Sequence, residues 1–273
     1  MYTSHSAPPL SYPGLLNWTR TLLHRHGVKP SDRLGQNFVV KPRIILDVLD
    51  CMGSFSCSRI LEMGSGLGVL TYYLAAVCGN VLSVELDSRL SSIANNVVKH
   101  VDASIVNGDG MDFIGLPRFH QLVSNTPYYL SGMIIARLAS NNSIQTASLL
   151  VQKEVGERVT AEPGDPSYGR ISVISQLFFN IEVKRIYPPS FFYPKPEVSG
   201  VLLCLKRKKK WIKNLHGSLE KFTACLFSGR NKMASKQVSK CTGIARSDLS
   251  WLGKRRVREM TPWEIEKLLA GAF

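Results

Sequence analysis

The sequence predicts an α/β fold built on a mainly parallel sheet and followed by a small basic helical domain. Three observations carry this expectation. Short apolar runs alternate with helical stretches between residues 58 and 151, the pattern turns helical after Lys210, and the charge is segregated. The chain has 273 residues and a formal charge of +14. Residues 32–200 hold 14 basic and 15 acidic residues, whereas residues 201–273 hold 17 and 5. At this length a sizeable core forms, which excludes a disordered chain or a disulfide mini-scaffold.

Residues 1–31 read as an N-terminal extension. A Pro/Ser/His-rich opening leads into a short helix whose Leu15, Leu16, Trp18, Leu22 and Leu23 form one apolar stripe. The segment lacks Asp and Glu and carries Arg20, Arg25 and Lys29, as organellar transit peptides do, but it soon runs into motif-bearing sequence, and a cytoplasmic protein is expected. Residues 32–206 read as the catalytic domain. Strands are expected at Ile60-Leu61, 81–84, Ile105-Val106, Leu122-Val123 and 149–151, and helices at 69–77, 88–98 and 153–161. Pro163-Gly164-Asp165-Pro166 breaks the last helix, and 178–186 with 198–205 read as an antiparallel closing pair around a Pro-rich loop. Residues 207–273 form the helical domain, with helices at 215–227 and 262–270; Thr261 is a ready N-cap and Pro262 sits at the first helical position.

No apolar run approaches the ~20 residues of a membrane span. Six scattered cysteines show no metal-ligand spacing, so no metal is expected and the thiols are read as reduced. Within the tail, Lys206, Arg207, Lys208, Lys209 and Lys210, then Arg230 and Lys232, then Lys254, Arg255 and Arg256 form a footprint for a polyanion, with RNA the natural partner.

The chemistry-bearing residues stand at successive strand ends. Gly64, Gly66 and Gly68 follow the first strand and open a helix, where glycine permits close approach by a ligand. Val69 stands where a dinucleotide fingerprint needs glycine, which disfavours a nicotinamide oxidoreductase. Glu85 lies 21 residues after Gly64, where a carboxylate accepts both hydroxyls of a ribose. Asp109 ends the third strand, in reach of an adenine amine. Asn125-Thr126-Pro127-Tyr128 ends the fourth. The Asn125 side-chain oxygen and a backbone carbonyl held by the rigid geometry before Pro127 can accept both hydrogens of an adenine amino group, and Tyr128 offers a stacking face for a base taken out of its helix.

These motifs, in this order, resemble the small-subunit ribosomal RNA adenine dimethyltransferases (the KsgA family). The resemblance runs from Leu34 to Phe227 and includes Leu34-Gly35-Gln36-Asn37-Phe38, residues 62–71, Val84-Glu85-Leu86-Asp87, Gly108-Asp109, residues 125–128, Gln152-Lys153-Glu154-Val155 and residues 188–198. It implies a Rossmann-like S-adenosylmethionine-dependent methyltransferase sheet. Asn37, Val39, Gly64, Gly66, Glu85, Asp109 and Asn125 would hold the donor. Asn125, Pro127 and Tyr128 would hold the target adenine, with Phe192 on the other side of the base. The implied substrate is small-subunit ribosomal RNA in a pre-ribosomal particle, dimethylated at two adjacent adenosines near its 3′ end by a monomeric enzyme. Ser65 and Thr126 depart from the family's usual residues, proline and a larger apolar residue. A non-catalytic assembly or transcription factor on the same scaffold and a DNA adenine methyltransferase are the competing readings; no separate DNA target-recognition domain is evident.

Overall fold

In a computed structural model of the chain, residues 7–53, 59–127, 130–210 and 217–272 are described. Gly14–Arg25 (α1) precedes Phe38–Val39 (β1) and Pro42–Met52 (α2). Strands and helices then alternate: Ile60–Met63 (β2), Val69–Cys78 (α3), Val81–Glu85 (β3), Ser88–Val97 (α4), Ala103–Asn107 (β4), Met111–Ile114 (α5), Gln121–Asn125 (β5), Ser131–Ser140 (α6) and Thr146–Gln152 (β6). Lys153–Thr160 (α7) and Arg170–Phe178 (α8) lead to Phe179–Tyr187 (β7), Phe192–Tyr193 (β8) and Gly200–Arg207 (β9). Leu219–Phe227 (α9), Ala234–Thr242 (α10) and Pro262–Ala272 (α11) complete the chain.

Among the described residues, seven strands form one sheet in the order β4-β3-β2-β5-β6-β9-β7. The pairs β3–β4, β2–β3, β2–β5 and β5–β6 are parallel, and β6–β9 is antiparallel. Parallel strands are covered on both faces, which explains why β2 is buried at all four positions and reads as an apolar run interrupted only by Glu62. The chain builds outward from β2 to β4 and then returns to the other side of β2 with β5. That reversal is a topological switch point, where open α/β sheets bind ligands beyond the strands' carboxyl ends. Strands β1 and β8 pair separately, antiparallel, with Phe38 opposite Tyr193 and Val39 opposite Phe192.

The chain divides into two compact units, residues 1–156 with 182–206, and residues 157–181 with 207–273. Two expectations are corrected here. The N-terminal segment is not an appendage: Leu15, Trp18 and Leu22 are completely buried and share a core with Ile44 and Ile45 of α2 and Leu74 of α3. Its apolar stripe finds a complementary surface in the first unit. Residues 157–181, expected in the catalytic domain, fold with the tail instead, because α8 packs against α9 and α11. The Tyr168 hydroxyl donates to the Met260 carbonyl at 2.8 Å, and its ring meets Phe227 edge-on at 5.8 Å. The helix α8 itself went unread, since its Ser172 and Ser175 interrupt the apolar pattern; their hydroxyls turn back onto backbone carbonyls of residues 158 and 159.

The expectation of reduced thiols is also corrected. Cys51 of α2 bonds to Cys204 of β9, and Cys225 of α9 to Cys241 of α10, with Cα separations of 5.5 and 5.9 Å that suit a disulfide. Sequence spacing could not reveal which elements face each other; Cys78 is free, and Cys57 lies outside the described residues. Among the described residues no helix is long and apolar enough to cross a membrane.

The burial of α1 makes a quantitative demand. Replacing Trp18 by Ala is expected to destabilise the chain by about 3–5 kcal/mol through lost burial and the cavity left behind. Urea unfolding measures it, and a loss below about 1 kcal/mol would show that α1 contributes little to the core.

Candidate active site

The site begins with the backbone. After β2 the chain passes through Gly64, Gly66 and Gly68 at φ of 82°, 54° and 81°, in the left-handed region that side chains resist, and then opens α3. A Cβ on Gly66 would come within 3.2 Å of the Phe38 ring. At Gly66 the loop therefore runs close against the Phe38 ring. The Gly66 N–H donates to Glu85 Oε2 at 2.8 Å, and the Asp87 N–H donates to Glu85 Oε1 at 3.0 Å. These two bonds lock the Glu85 carboxylate at the end of β3. Each oxygen keeps further acceptor capacity for a diol. Burial raises the Glu85 pKa, opposed by those backbone donors.

Next to Glu85, Asp87 caps α4 by accepting from the Arg89 N–H, and hydrogen bonds from Arg89 and Gln36 hold its pKa down at about 2 against the effect of burial. Gln36 accepts from the Ser31 N–H at 2.8 Å and donates to Asp87 Oδ2 at 3.2 Å, so it ties the segment before β1 to the start of α4. Across the sheet, Asn125 Nδ2 donates to the Asn37 carbonyl at 2.8 Å. No donor among the described residues claims Asn125 Oδ1.

These segments enclose a cleft of about 740 Å³ over the switch point. Asn37, Gly64, Gly66, Glu85, Asp109, Asn125 and Pro127 all line it, which is six of the expected donor-binding residues together with the proline of the catalytic motif. Asp109 is exposed there, its Oδ1 accepting from the Met111 N–H at 2.9 Å. A second pocket of about 300 Å³ shares Gly35, Asn37 and Asn125 with the first and adds Thr126 and Phe192. The Phe192 ring sits against Gly200, where a Cβ would approach it to 3.1 Å. Val39 is not brought to either pocket; it is buried opposite Phe192 in the β1–β8 ladder. Tyr128 lies outside the described residues. Sequence reasoning missed several of the lining residues, among them Leu34 and Gln36, within a motif that was recognised, and Leu86, directly after Glu85 and more than half exposed. An exposed leucine at a strand end beside a carboxylate is the signal that could have found it.

The basic residues separate into two groups. Arg207 lies over the Phe179 ring, Lys209 pairs with Glu266, Arg255 with Glu264, Arg230 donates to the Pro166 carbonyl and Arg256 to that of Asn231. Those five have structural partners. Lys206, Lys208, Lys210, Lys232 and Lys254 are exposed and have no ion-pair partner among the described residues.

A glycine loop, a fixed carboxylate and an Asn-x-Pro segment meeting at the switch point of a mainly parallel sheet define a Rossmann-like methyltransferase. The comparisons agree. Residues 28–265 match the ribosomal RNA adenine dimethylase family. The chain is 34% identical to the ribosomal RNA small subunit methyltransferase A of Deinococcus radiodurans over 188 residues, which is 68% of this chain and 64% of that protein. It is 32% identical over 257 residues to the probable ribosomal RNA small subunit methyltransferase A of Pyrococcus abyssi, covering 90% of this chain and 93% of the relative. The fold is also that of a dimethyladenosine transferase from Plasmodium falciparum, with a TM-score of 0.72 at 21% identity over 85% of this chain and 95% of the other. The chain belongs to the ribosomal RNA adenine dimethylase family.

Beneath the glycine loop, Glu62 is buried and accepts a hydrogen bond from the Thr71 hydroxyl, and burial pushes its pKa from 4.5 up to about 7. A carboxyl that holds its proton more tightly when folded contributes stability that is present below pH 4.5 and is lost as pH rises through 7. Glu62→Gln is expected to flatten the fall in stability between pH 5 and pH 8, by about 3 kcal/mol at most. Urea midpoints at the two pH values read this directly, and an unchanged fall in the variant would place the titration elsewhere.

Proposed function

We propose that this protein transfers methyl groups from S-adenosylmethionine to the exocyclic amine of adenosines in small-subunit ribosomal RNA. The observation that carries the reading is the Asn125–Asn37 hydrogen bond at the border of the two pockets. With Nδ2 committed to a carbonyl, Asn125 presents Oδ1 as an acceptor, the polarity an adenine amine requires. The Thr126 N–H is held by the Leu150 carbonyl at 2.9 Å and its own carbonyl is held by the proline that follows, which supplies a second fixed acceptor. Two acceptors draw the amino hydrogens out of the ring plane, so that the nitrogen is pyramidal and its lone pair turns out of the purine ring's conjugation toward the methyl group.

The residues present fit the donor. The larger cleft has a glycine-lined wall, a carboxylate already fixed by two backbone donors for a ribose diol, Leu86 and Asp109 for an adenine face and amine, and Asn37 with Asn125 toward the second pocket. The donor would supply a methyl group on a sulfonium: the carbon–sulfur bond breaks as the nitrogen–carbon bond forms, a neutral thioether leaves, and the alkylated amine is acidic enough to give its proton to water without a strong base. Phe192, seated on Gly200, gives the second pocket an aromatic wall against which a flipped base stacks. Tyr128 follows Pro127 directly and is read as the partner face. The exposed lysines of the tail grip the phosphate backbone of the RNA within its particle, which makes binding strongly salt-dependent. Transfer to two adjacent adenosines near the 3′ end, two methyl groups on each, by a cytoplasmic monomer is the full form of this reading.

The test is transfer of labelled methyl to unmethylated small ribosomal subunits, with the nucleosides then separated by mass. Wild type is expected to form dimethyladenosine, and Asn125→Ala to lose on the order of 10²–10³ in rate, the cost of removing one oriented polar group at a reacting centre. Undiminished transfer by Asn125→Ala would overturn the mechanism. No transfer by wild type, with donor and subunit both bound, would favour a non-catalytic assembly role.

A further inference from the structure

The second unit contains a groove of about 1000 Å³ lined by Gln176, Leu177, Lys208, Lys209, Pro262 and Trp263. Trp263, in the first turn of α11, leaves 71% of its surface in water, the most of any large apolar side chain among the described residues. By contrast Phe222, Leu226, Ile265 and Leu269 of the same unit are buried. An indole kept out of a core that was available to it marks an interaction surface.

The cations around it differ in kind. Lys209 Nζ stands 4.9 Å from the Trp263 ring centroid, while both oxygens of Glu266 accept from it at 2.6 Å. Its charge is balanced, and it serves to order the indole. Lys208 is exposed, has no ion-pair partner among the described residues, and is placed by its backbone N–H donating to the Phe178 carbonyl at 2.9 Å. Burial and the neighbouring Lys209 lower its pKa while Glu266 raises it, so an incoming anion would find an ammonium whose charge it relieves.

We propose that this groove binds one nucleotide of single-stranded RNA, with the base stacked on Trp263 and a phosphate on Lys208. The proposal rests on the reading of the chain as a ribosomal RNA methyltransferase and adds to it a contact remote in sequence from the methyl-transfer motifs. The chemistry matches on each count. A flat π-face suits any base, an apolar floor of Leu177 and Pro262 suits its edge, and one unpaired lysine suits one phosphate. The run from Lys206 to Lys210 continues the positive potential along the strand that a neighbouring phosphate would follow. A purely apolar partner would leave Lys208 unanswered.

The experiment compares wild type, Trp263→Ala, Trp263→Phe and Lys208→Gln for binding to a ten-nucleotide oligoadenylate and to small ribosomal subunits over a range of salt. Unfolding midpoints show that each variant is folded. Trp263→Ala is expected to weaken oligoadenylate binding roughly 5- to 150-fold, the range for losing one stacked base, with the salt dependence unchanged. Trp263→Phe recovers most of that loss. Lys208→Gln weakens binding and lowers the salt slope by about one phosphate's worth. Affinity of Trp263→Ala within twofold of wild type would overturn the proposal and leave the methyl-transfer reading standing. Trp263-dependent oligoadenylate binding by a wild-type protein that methylates no ribosomal RNA would support the groove and sink that other reading. Displacement of the oligoadenylate by an equally charged oligoglutamate, with the same dependence on Trp263, would make the groove a protein-docking face and overturn its assignment to RNA.

Discussion

The site depends on the parallel ladder between β2 and β5. In that ladder Ile60 stands opposite Gln121 and Met63 opposite Ser124, so Gly64, the first residue past β2, and Asn125, the last residue of β5, come to the same edge of the sheet. The Ser124 hydroxyl donates to the Met63 carbonyl at 3.2 Å and fastens the end of the ladder. Register is strongly specified because both faces are covered: a slip of one residue would turn every buried side chain of β2 to the opposite face. A slip of two would keep the faces but carry Asn125 about 6.6 Å from the glycine loop, since each residue of a strand advances about 3.3 Å. The methyl-transfer geometry is therefore held by hydrogen bonds and burial several residues away from it.

A second wall is built from chain far from the sheet's centre in sequence. The segment between α1 and β1 reaches the cleft through Gln36 and Asn37, which are hydrogen-bonded to Asp87 at the start of α4 and to Asn125 at the end of β5. Both are bonds between polar groups at the margin of water, each modest by itself. Their combined effect rests on what stands behind them: β1 paired with β8, and α1 anchored by Trp18 in the first unit's core. The N-terminal helix thus bears on the site by restricting the loop that follows it, which links a packing term to the position of a carbonyl in the cleft.

Much of this was legible in the sequence, for identifiable reasons. Parallel strands produce uninterrupted apolar runs, and glycines with positive φ, strand-terminal carboxylates and the Asn-x-Pro segment are local features whose spacing survives in one dimension. Gly64, Gly66, Glu85, Asp109 and Asn125 could be placed on one crevice because each ends or follows a strand. What escaped depends on distant pairing. Nothing near Trp18 says which surface covers it, nothing near Cys51 points to Cys204, and α8 was hidden by serines whose hydroxyls satisfy carbonyls of α7. Val39 and Phe192 illustrate the same limit: they stand opposite each other in the β1–β8 ladder, and only Phe192 lines a pocket. The basic tail was visible as charge, but which of the ten candidate RNA-binding cations have partners among the described residues depends on the acids and carbonyls that fold back onto them.

On the proposed mechanism the residue at position 125 has two jobs, which limits what can replace it. The Asn37 carbonyl accepts from Nδ2 at 2.8 Å, so the residue at 125 must donate on that side and accept on the other. An aspartate of the same shape would set a carboxylate oxygen against the carbonyl, with no donor between them unless it stayed protonated, and then its remaining oxygen would be the weaker acceptor of a neutral acid. A serine would keep one polar atom but lose the reach to serve both sides. The amide alone combines a donor that closes the loop with an acceptor that orients an amine, and the two roles are coupled because the first decides which way the second points. On the proposed mechanism, methyl transfer at this site relies on orientation by neutral dipoles. Of the two carboxylates that line the cleft, Glu85 is itself held by the Gly66 and Asp87 N–H groups at the end of β3.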